Sequence, residues 1–388
     1  RGPLRILPSP DGKLSYELTV RLDAKTRSDA DALLDELELN TNESGNKLSL
    51  KPQLGIKNII TRNGQSAITL RNGTKVKGIR DLQLSLVLYS PDLQQLDIEA
   101  KYHDVRIERS ISGDLNLDLY SAELLCGRTG GRLNLRARYS SGTVGDFTSA
   151  ALDLYDCELE FGSGTSVALN SKYSDLAFGT LESMEAKTYD EEIRLATISG
   201  RLDISDKYSE YDIQRIQDGT WNCYDAEVRL EEGRNLTINS KYTSFELGTV
   251  EQVNFNRSYD DEVKVETLGR LELYSKYSYI DITLLNTVLL VPNSYDDHIE
   301  IETIGAQFQK ASLKMKYTDL ELPLRGSIPF RLAANTKYGT LEIDEDIVDF
   351  RTFLQRDEIL ELEGKSRNAD ADSPLVSIDA YDCQIELK

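Results

Sequence analysis

Apolar and polar positions alternate along most of this chain, and tyrosine punctuates the alternation. Leu202 and Ile204 precede Tyr208, and Tyr211 and Ile213 follow it. Leu236 and Ile238 precede Tyr242, and Phe245 and Leu247 follow; Leu133 and Leu135 stand in the same way before Tyr139. An extended strand sends alternate side chains to opposite faces. Each such stretch therefore predicts two short strands with a turn just beyond the tyrosine, and no segment of this region sustains a helical period.

The tyrosines come in two phrases. One reads K/R-Y-S/T, at Arg138-Tyr139-Ser140, Lys172-Tyr173-Ser174, Lys207-Tyr208-Ser209, Lys241-Tyr242-Thr243 and Lys276-Tyr277-Ser278. The other reads Tyr-Asp, at Tyr155-Asp156, Tyr189-Asp190, Tyr224-Asp225, Tyr259-Asp260 and Tyr295-Asp296. Tyrosines fall every 16 to 19 residues, and each phrase returns after about 35. A unit this short cannot bury its apolar face alone, so self-similarity at fixed period implies stacking. The fold predicted is all-β: a right-handed parallel β-helix (β-solenoid) of about 17–18 residues per coil, the coils stacked at about 4.8 Å.

The two phrases differ in spacing. After a Lys-Tyr tyrosine the next apolar residue lies three on (Leu176, Tyr211, Phe245, Ile280); after a Tyr-Asp tyrosine it lies four on (Leu159, Ile193, Val228, Val263). An extra residue at a constant place predicts a bulge or wider corner, with acidic runs such as Tyr189-Asp190-Glu191-Glu192 and Tyr259-Asp260-Asp261-Glu262 on the turn. Phase predicts Lys-Tyr tyrosines in step with the inward leucines and Tyr-Asp tyrosines facing outward. Phe178-Gly179-Thr180, Leu247-Gly248-Thr249, Ile198-Ser199-Gly200 and Leu268-Gly269-Arg270 mark a second ladder of turns, where glycine suits a positive φ.

Residues 1–95 lack the repeat and predict a small α+β N-terminal capping module. Leu14 to Leu22 alternates as a strand, with Leu14, Tyr16, Leu18 and Val20 on one face. Ser28 predicts the cap of a helix from Asp29 to Leu39 with Asp31 completing a capping box. Asn42 to Asn46 reads as a turn, followed by strands at Lys47–Lys51, Ala67–Leu70 and Leu82–Leu88. Residues 96–388 form the solenoid, with an insertion near 344–372 that includes a polar run from Gly364 to Asp370. A closing Tyr-Asp coil runs through Val376, Ile378, Tyr381-Asp382, Ile385 and Leu387.

Composition narrows the function classes. A formal charge of −21 argues against nucleic acid, whose backbone needs clustered Lys and Arg, and against an anionic membrane surface. No stretch approaches 18 consecutive apolar residues, so no transmembrane segment is expected. The chain opens at Arg1-Gly2-Pro3 without a signal peptide, which reads as a mature or trimmed form. Cys126, Cys157, Cys223 and Cys383 match no zinc or redox spacing; buried free thiols are expected, a single disulfide being the alternative. The two histidines, His103 and His298, form no cluster with cysteine or a unique acid.

The alternation Leu-x-Ile-x-x-Lys-Tyr-x-x-Leu/Tyr-x-Ile, the strand Leu82–Leu88 before Ser90-Pro91, and the helix-plus-turn opening resemble a family of adhesin-type proteins. These are secreted, mostly from Bacteroidetes, with DUF4097- or DUF2807-like β-solenoid head domains. Lys337-Tyr338-Gly339 matches the glycine that family members often carry after Lys-Tyr. The resemblance implies a right-handed parallel β-helix exported to the periplasm, outer membrane or cell surface, and brings no functional residues with it.

The function expected is that of a non-enzymatic adhesin or scaffold binding a cell-surface glycan or an envelope protein. Its ligand row is Tyr155, Tyr189, Tyr224, Tyr259 and Tyr295 with Asp156, Asp190, Asp225, Asp260 and Asp296 beside them. The same tyrosines serving only to pack and hydrogen-bond at a corner is the bland alternative. A polysaccharide lyase or hydrolase would use paired carboxylates, but acidic pairs recur with the repeat, whereas a catalytic site should break it once. A purely structural envelope role is the third alternative. No cofactor is expected; calcium along the acidic corners is the alternative, though no Asp-x-Asn/Asp-x-Asn/Asp-Gly loop is present. The unpaired ladders at the solenoid ends offer a route to self-association.

Overall fold

The computed structural model describes every residue except 1, 45–46, 63–64, 325 and 327. Its contacts divide the chain into two units. One comprises Arg1–Leu93, Ala100–Arg109 and Ala122–Cys126; the other comprises Gln94–Glu99, Ser110–Ser121 and Gly127–Lys388.

In the first unit, Ser15–Ala24 runs antiparallel to Lys75–Ser90, which also pairs with Gln65–Leu70 and, in parallel, with Leu4–Pro8. The core of this unit is Leu33, Ile68, Leu70, Val76 and Ile79, flanked by Leu22, Ile56 and Leu82. Leu14 and Tyr16 are exposed rather than facing it. The helix spans Arg27–Leu34, shorter and earlier than expected. Thr26, not Ser28, is its cap: Thr26 is extended (φ −133°, ψ 153°) and its Oγ1 accepts from the Asp29 N–H at 3.2 Å. Leu37-Glu38-Leu39 already belongs to the hairpin strand Leu37–Ser44, paired with Lys47–Leu54. The expected turn at Asn42 to Asn46 falls partly outside the described residues, at 45–46; Asn42 to Ser44 are strand.

The second unit is the β-solenoid. Parallel strands stack in register from coil to coil, and one interior column shows how the core is made. Leu176 lies opposite Ile193, then come Tyr211, Val228, Phe245, Val263 and Ile280, all buried. Each such aliphatic or aromatic side chain contributes about 1.5–3 kcal/mol by leaving water. Trp221 is fully buried, and the register partner of Leu202 and Leu236 beside it is Gly219. A Cβ at Gly219 would meet the Trp221 ring at 3.4 Å.

The glycine ladder has a different cause from the one expected. Gly179, Gly200, Gly248 and Gly269 sit within long strands and not at positive φ. At three of them the neighbouring coil's backbone leaves no room for a side chain: a Cβ would stand 2.4 Å from the Glu231 carbonyl oxygen at Gly248, 2.2 Å from that of Glu251 at Gly269, and 2.7 Å from that of Glu182 at Gly200.

The C-terminal insertion is a hairpin, Val348–Arg356 with Ile359–Ser366. Gly364, Lys365 and Ser366 are strand, not loop; Ile359 to Lys365 pair antiparallel with Arg331–Lys337, and Ser366 pairs with Val348. The last strand in sequence is not last in space. Leu375–Tyr381 pairs in parallel with Lys310–Lys316 on one edge and with Arg331–Lys337 on the other. Gln384–Leu387 likewise lies between Asp319–Leu322 and Thr340–Ile343. The closing coil thus intercalates between two earlier ones.

Candidate functional site

The tyrosines gather along one corner of the solenoid, and the backbone explains how. In every Lys-Tyr coil the tyrosine is left-handed: φ is 54° at Tyr139, 61° at Tyr173, 68° at Tyr208, 59° at Tyr242 and 60° at Tyr277. In every Tyr-Asp coil the aspartate takes that conformation, with φ between 53° and 58° at Asp156, Asp190, Asp225, Asp260 and Asp296. The stacking ladder continues through the corner. Tyr173 N donates to Tyr189 O at 3.1 Å, Asp190 N to Lys207 O at 2.9 Å, and Tyr208 N to Tyr224 O at 3.0 Å.

This register corrects two expectations. Tyr189 lies opposite Lys172 on one side and Lys207 on the other, so the two phrases share one corner of one length. No bulge is inserted there. The apparent extra residue arises because tyrosine takes the strand-end place in Tyr-Asp coils and the following, left-handed place in Lys-Tyr coils. The Lys-Tyr tyrosines also do not point inward. A left-handed residue breaks the two-residue alternation, and Tyr139, Tyr173, Tyr208, Tyr242 and Tyr277 are 40–48% exposed.

Both sets of rings therefore meet on the outside. From Tyr120 through Tyr139, Tyr155, Tyr173 and so on to Tyr295, Tyr317, Tyr381 and Tyr338, each ring meets the next edge to face. Centroids are 5.1–6.0 Å apart and planes are 70–89° apart. A left-handed non-glycine residue costs about 1–3 kcal/mol. Two edge-to-face contacts at about 0.5–1.5 kcal/mol each are of the size needed to offset it.

Tyrosine and lysine alternate at the strand end; aspartate and tyrosine alternate at the next position. Lys172 Nζ lies 5.9 Å from the Tyr189 ring centre, Lys276 Nζ 5.6 Å from that of Tyr295, and Lys241 Nζ 4.7 and 4.6 Å from those of Tyr259 and Tyr242. Among the described residues no cation sits over Tyr139, Tyr173, Tyr208, Tyr277 or Tyr317. Partial desolvation, together with the neighbouring phenols and an adjacent aspartate, raises the phenol pKa of Tyr173, Tyr208, Tyr277 and Tyr317. Of the expected ligand row, the structure brings Tyr155, Tyr189, Tyr224, Tyr259 and Tyr295 into this ladder as every second ring. Asp156, Asp190, Asp225, Asp260 and Asp296 stand at the corner position that tyrosine takes in the alternate coils.

Behind the stripe runs a buried polar seam that spacing did not reveal. The residue after the left-handed position points inward, and in the Lys-Tyr coils this is the recurrent Ser or Thr. Ser174 Oγ donates to Lys172 O (3.2 Å) and accepts from Cys157 N (3.1 Å); Ser278 Oγ donates to Lys276 O and accepts from Asp261 N, both at 3.2 Å. In the Tyr-Asp coils the same place holds Cys157, Glu191, Ala226, Asp261 and Asp297, all buried. The acidic runs thus divide: Asp190 and Glu192 face out, whereas Glu191 is inside.

These buried acids are hydrogen-bond hubs. Asp261 Oδ2 accepts from Ser240 and Ser258 hydroxyls, each at 2.6 Å, and from Tyr259 N at 3.0 Å; its Oδ1 accepts from Thr243 N at 2.8 Å. Asp297 repeats the pattern with Ser275, Ser294, Tyr295 N and Ser278 N. Asp206 accepts from Thr188 and Ser209, and Thr188 also bonds the Tyr211 hydroxyl. Burial raises the pKa of all three carboxyls against these donors. Glu191 Oε2 accepts from Ser171 Oγ at 3.0 Å, and no donor stands within hydrogen-bond distance of its buried Oε1. Desolvation pushes it up to about 8.

Cys126, Cys157, Cys223 and Cys383 are buried, and none is in a disulfide. Among the described residues no group of three or more His, Cys, Asp or Glu side chains is placed to hold a metal ion, and no helix is long and apolar enough to cross a membrane. A trough of about 460 Å³ lies over Ser149, Ser166 and Ser183 between Arg132 and Arg201; the Arg201 guanidinium is engaged by Asp203. No family model matches the chain, and no curated protein or solved structure proves similar to it. Fold and corner together define a β-solenoid scaffold with an external tyrosine stripe.

Proposed function

We propose that this protein is a non-catalytic, exported binding scaffold of the adhesin type, and that the tyrosine corner is its ligand-facing element. The observation that carries this reading is the unbroken run of partly exposed rings from Tyr120 to Tyr338, flanked in alternate coils by lysine and aspartate. Aromatic surface with donors and acceptors at its margin suits sugar rings and their hydroxyls. A rigid array repeats the contact many times, so weak individual contacts add. The resemblance to envelope adhesins supports export to the periplasm or cell surface, which fractionation of the native cells would test.

An enzymatic reading finds less support. The acids that depart from the outward pattern, Glu191, Asp206, Asp261 and Asp297, are shut from solvent, and the exposed ones recur coil after coil. A glycan array probed with the full chain, and with Tyr173, Tyr208 and Tyr277 all changed to alanine, tests the binding reading. Binding lost by a variant that still melts cooperatively, at a temperature above that of the assay, supports it. Unchanged binding with lowered melting would assign the tyrosines to the fold alone.

A further inference from the structure

We infer that the ligand of the corner is an extended, neutral β-1,4-linked glycan lying along the stacking direction. This rests on the tyrosine-corner reading and names its ligand class. The corner has a chemical period of two coils, because like positions recur only in alternate coils: Tyr173, Tyr208, Tyr242 and Tyr277 at the left-handed place, and Asp190, Asp225 and Asp260 between them. With coils about 4.8 Å apart, that period is roughly 9.6 Å. In an extended β-1,4-linked chain each sugar is turned over relative to the last, so the same face and hydroxyls recur every second sugar, at a repeat of closely similar length. A β-1,3- or α-1,4-linked chain coils and cannot keep step with a straight row.

The two ring positions are not equivalent for this purpose. The strand-end rings Tyr189, Tyr259 and Tyr295 lie beneath lysine ammonium groups. Of the left-handed rings, Tyr242 also lies beneath Lys241 while Tyr139, Tyr173, Tyr208 and Tyr277 are without such cover, and all five are 40–48% exposed, whereas Tyr189, Tyr224, Tyr259 and Tyr295 are only half-buried. The second set is the platform on which alternate sugars stack. The lysines and the intervening Asp156, Asp190, Asp225 and Asp260 stand beside it to bond the hydroxyl edges. The net charge of −21 disfavours a polyanionic chain by long-range repulsion, so the glycan is neutral.

The test is retention of the full-length protein on insoluble β-1,4-glucan and β-1,4-linked N-acetylglucosamine polymer, against insoluble β-1,3-glucan and α-1,4-glucan. Affinities for soluble β-1,4 oligosaccharides of increasing length accompany it. Two variant sets are compared, Tyr173→Ala/Tyr208→Ala/Tyr277→Ala and Tyr189→Ala/Tyr224→Ala/Tyr259→Ala. Retention on a β-1,4 polymer alone is expected, with affinity rising at every second added sugar. The first set should weaken binding about tenfold or more, the second several times less. If alanine at the left-handed place unfolds the corner, the corresponding Tyr→Asn set, suited to that backbone, replaces it. Equal retention on β-1,3- or α-1,4-glucan, or equal losses in both sets, would overturn the commensurate β-1,4 inference while leaving the tyrosine-corner reading in place. Retention on no polysaccharide would overturn both.

Discussion

Tyr208 takes the place in its coil that Asp190 takes in the coil before, and its ring meets that of Tyr189 edge to face at 5.3 Å. One backbone position thus alternates between an acid that tolerates the left-handed conformation and an aromatic that does so under strain.

Glycine and alanine at Tyr208 should therefore differ in an unusual sense. Tyr208→Ala loses two ring contacts and keeps the strain, a cost of about 1–3 kcal/mol. Tyr208→Gly loses the same contacts but relieves the left-handed penalty, so it should be more stable than the alanine variant by about 1 kcal/mol. Chemical denaturation midpoints check the order. An alanine variant more stable than the glycine one would contradict the left-handed assignment.

Stability should fall as pH rises through the range where Glu191 titrates. Its pKa goes from 4.5 in the unfolded chain to about 8 in the fold. Between those values the native state holds a proton that the unfolded state has released, so stability declines as pH rises and levels off above the folded pKa. Asp206, Asp261 and Asp297 are raised as well and act in the same sense. Glu191→Gln should remove the upper part of the decline, a difference on the order of a few kcal/mol near pH 8. Thermal melts of both proteins from pH 5 to 9 measure it; parallel curves would refute the assignment.

Asp261→Ala leaves the Ser240 and Ser258 hydroxyls and the Tyr259 and Thr243 amides without their acceptor inside the solenoid. Unpartnered buried donors cost about 1–3 kcal/mol each before relaxation, so a loss of roughly 3 kcal/mol or more is expected. Asp260→Asn, one residue away, facing out and suited to the left-handed backbone there, should cost under about 1 kcal/mol. Equal effects on melting would mean that the acidic run does not divide as described.

Removing residues 367–388 takes out a coil hydrogen-bonded on both edges. Hydrogen exchange on the truncated chain should show lost protection in Arg331–Lys337 and in the hairpin that pairs with it, with Glu192–Lys207 and Glu210–Tyr224 unaffected. Protection retained throughout would argue against intercalation.

The stacked coils were legible because tyrosine spacing and two-residue alternation are local properties that neither side of the fold can alter. The Ser or Thr after each Lys-Tyr was visible too, as a small polar residue in an apolar phase, though its role as a corner clasp was not. Counting in twos failed at the corner for a definite reason. The count holds only while the backbone is extended, and one left-handed residue per coil resets it, which reversed the facing of the Lys-Tyr tyrosines and split the acidic runs.

The order of the last coils was decided by the tertiary structure alone. Along the chain Tyr317 and Tyr338 are successive Lys-Tyr tyrosines, which breaks the alternation. In space Tyr381 stands between them, touching Tyr317 at 5.7 Å and Tyr338 at 5.3 Å, and the alternation is restored. Sequence by itself determined that there are coils, how long they are and which residues form their core, because period and polarity are written locally. Which rings share an outer surface, which acids are buried, and which coil neighbours which depend on hydrogen bonds between residues far apart in the chain, and those exist only once the coils have stacked.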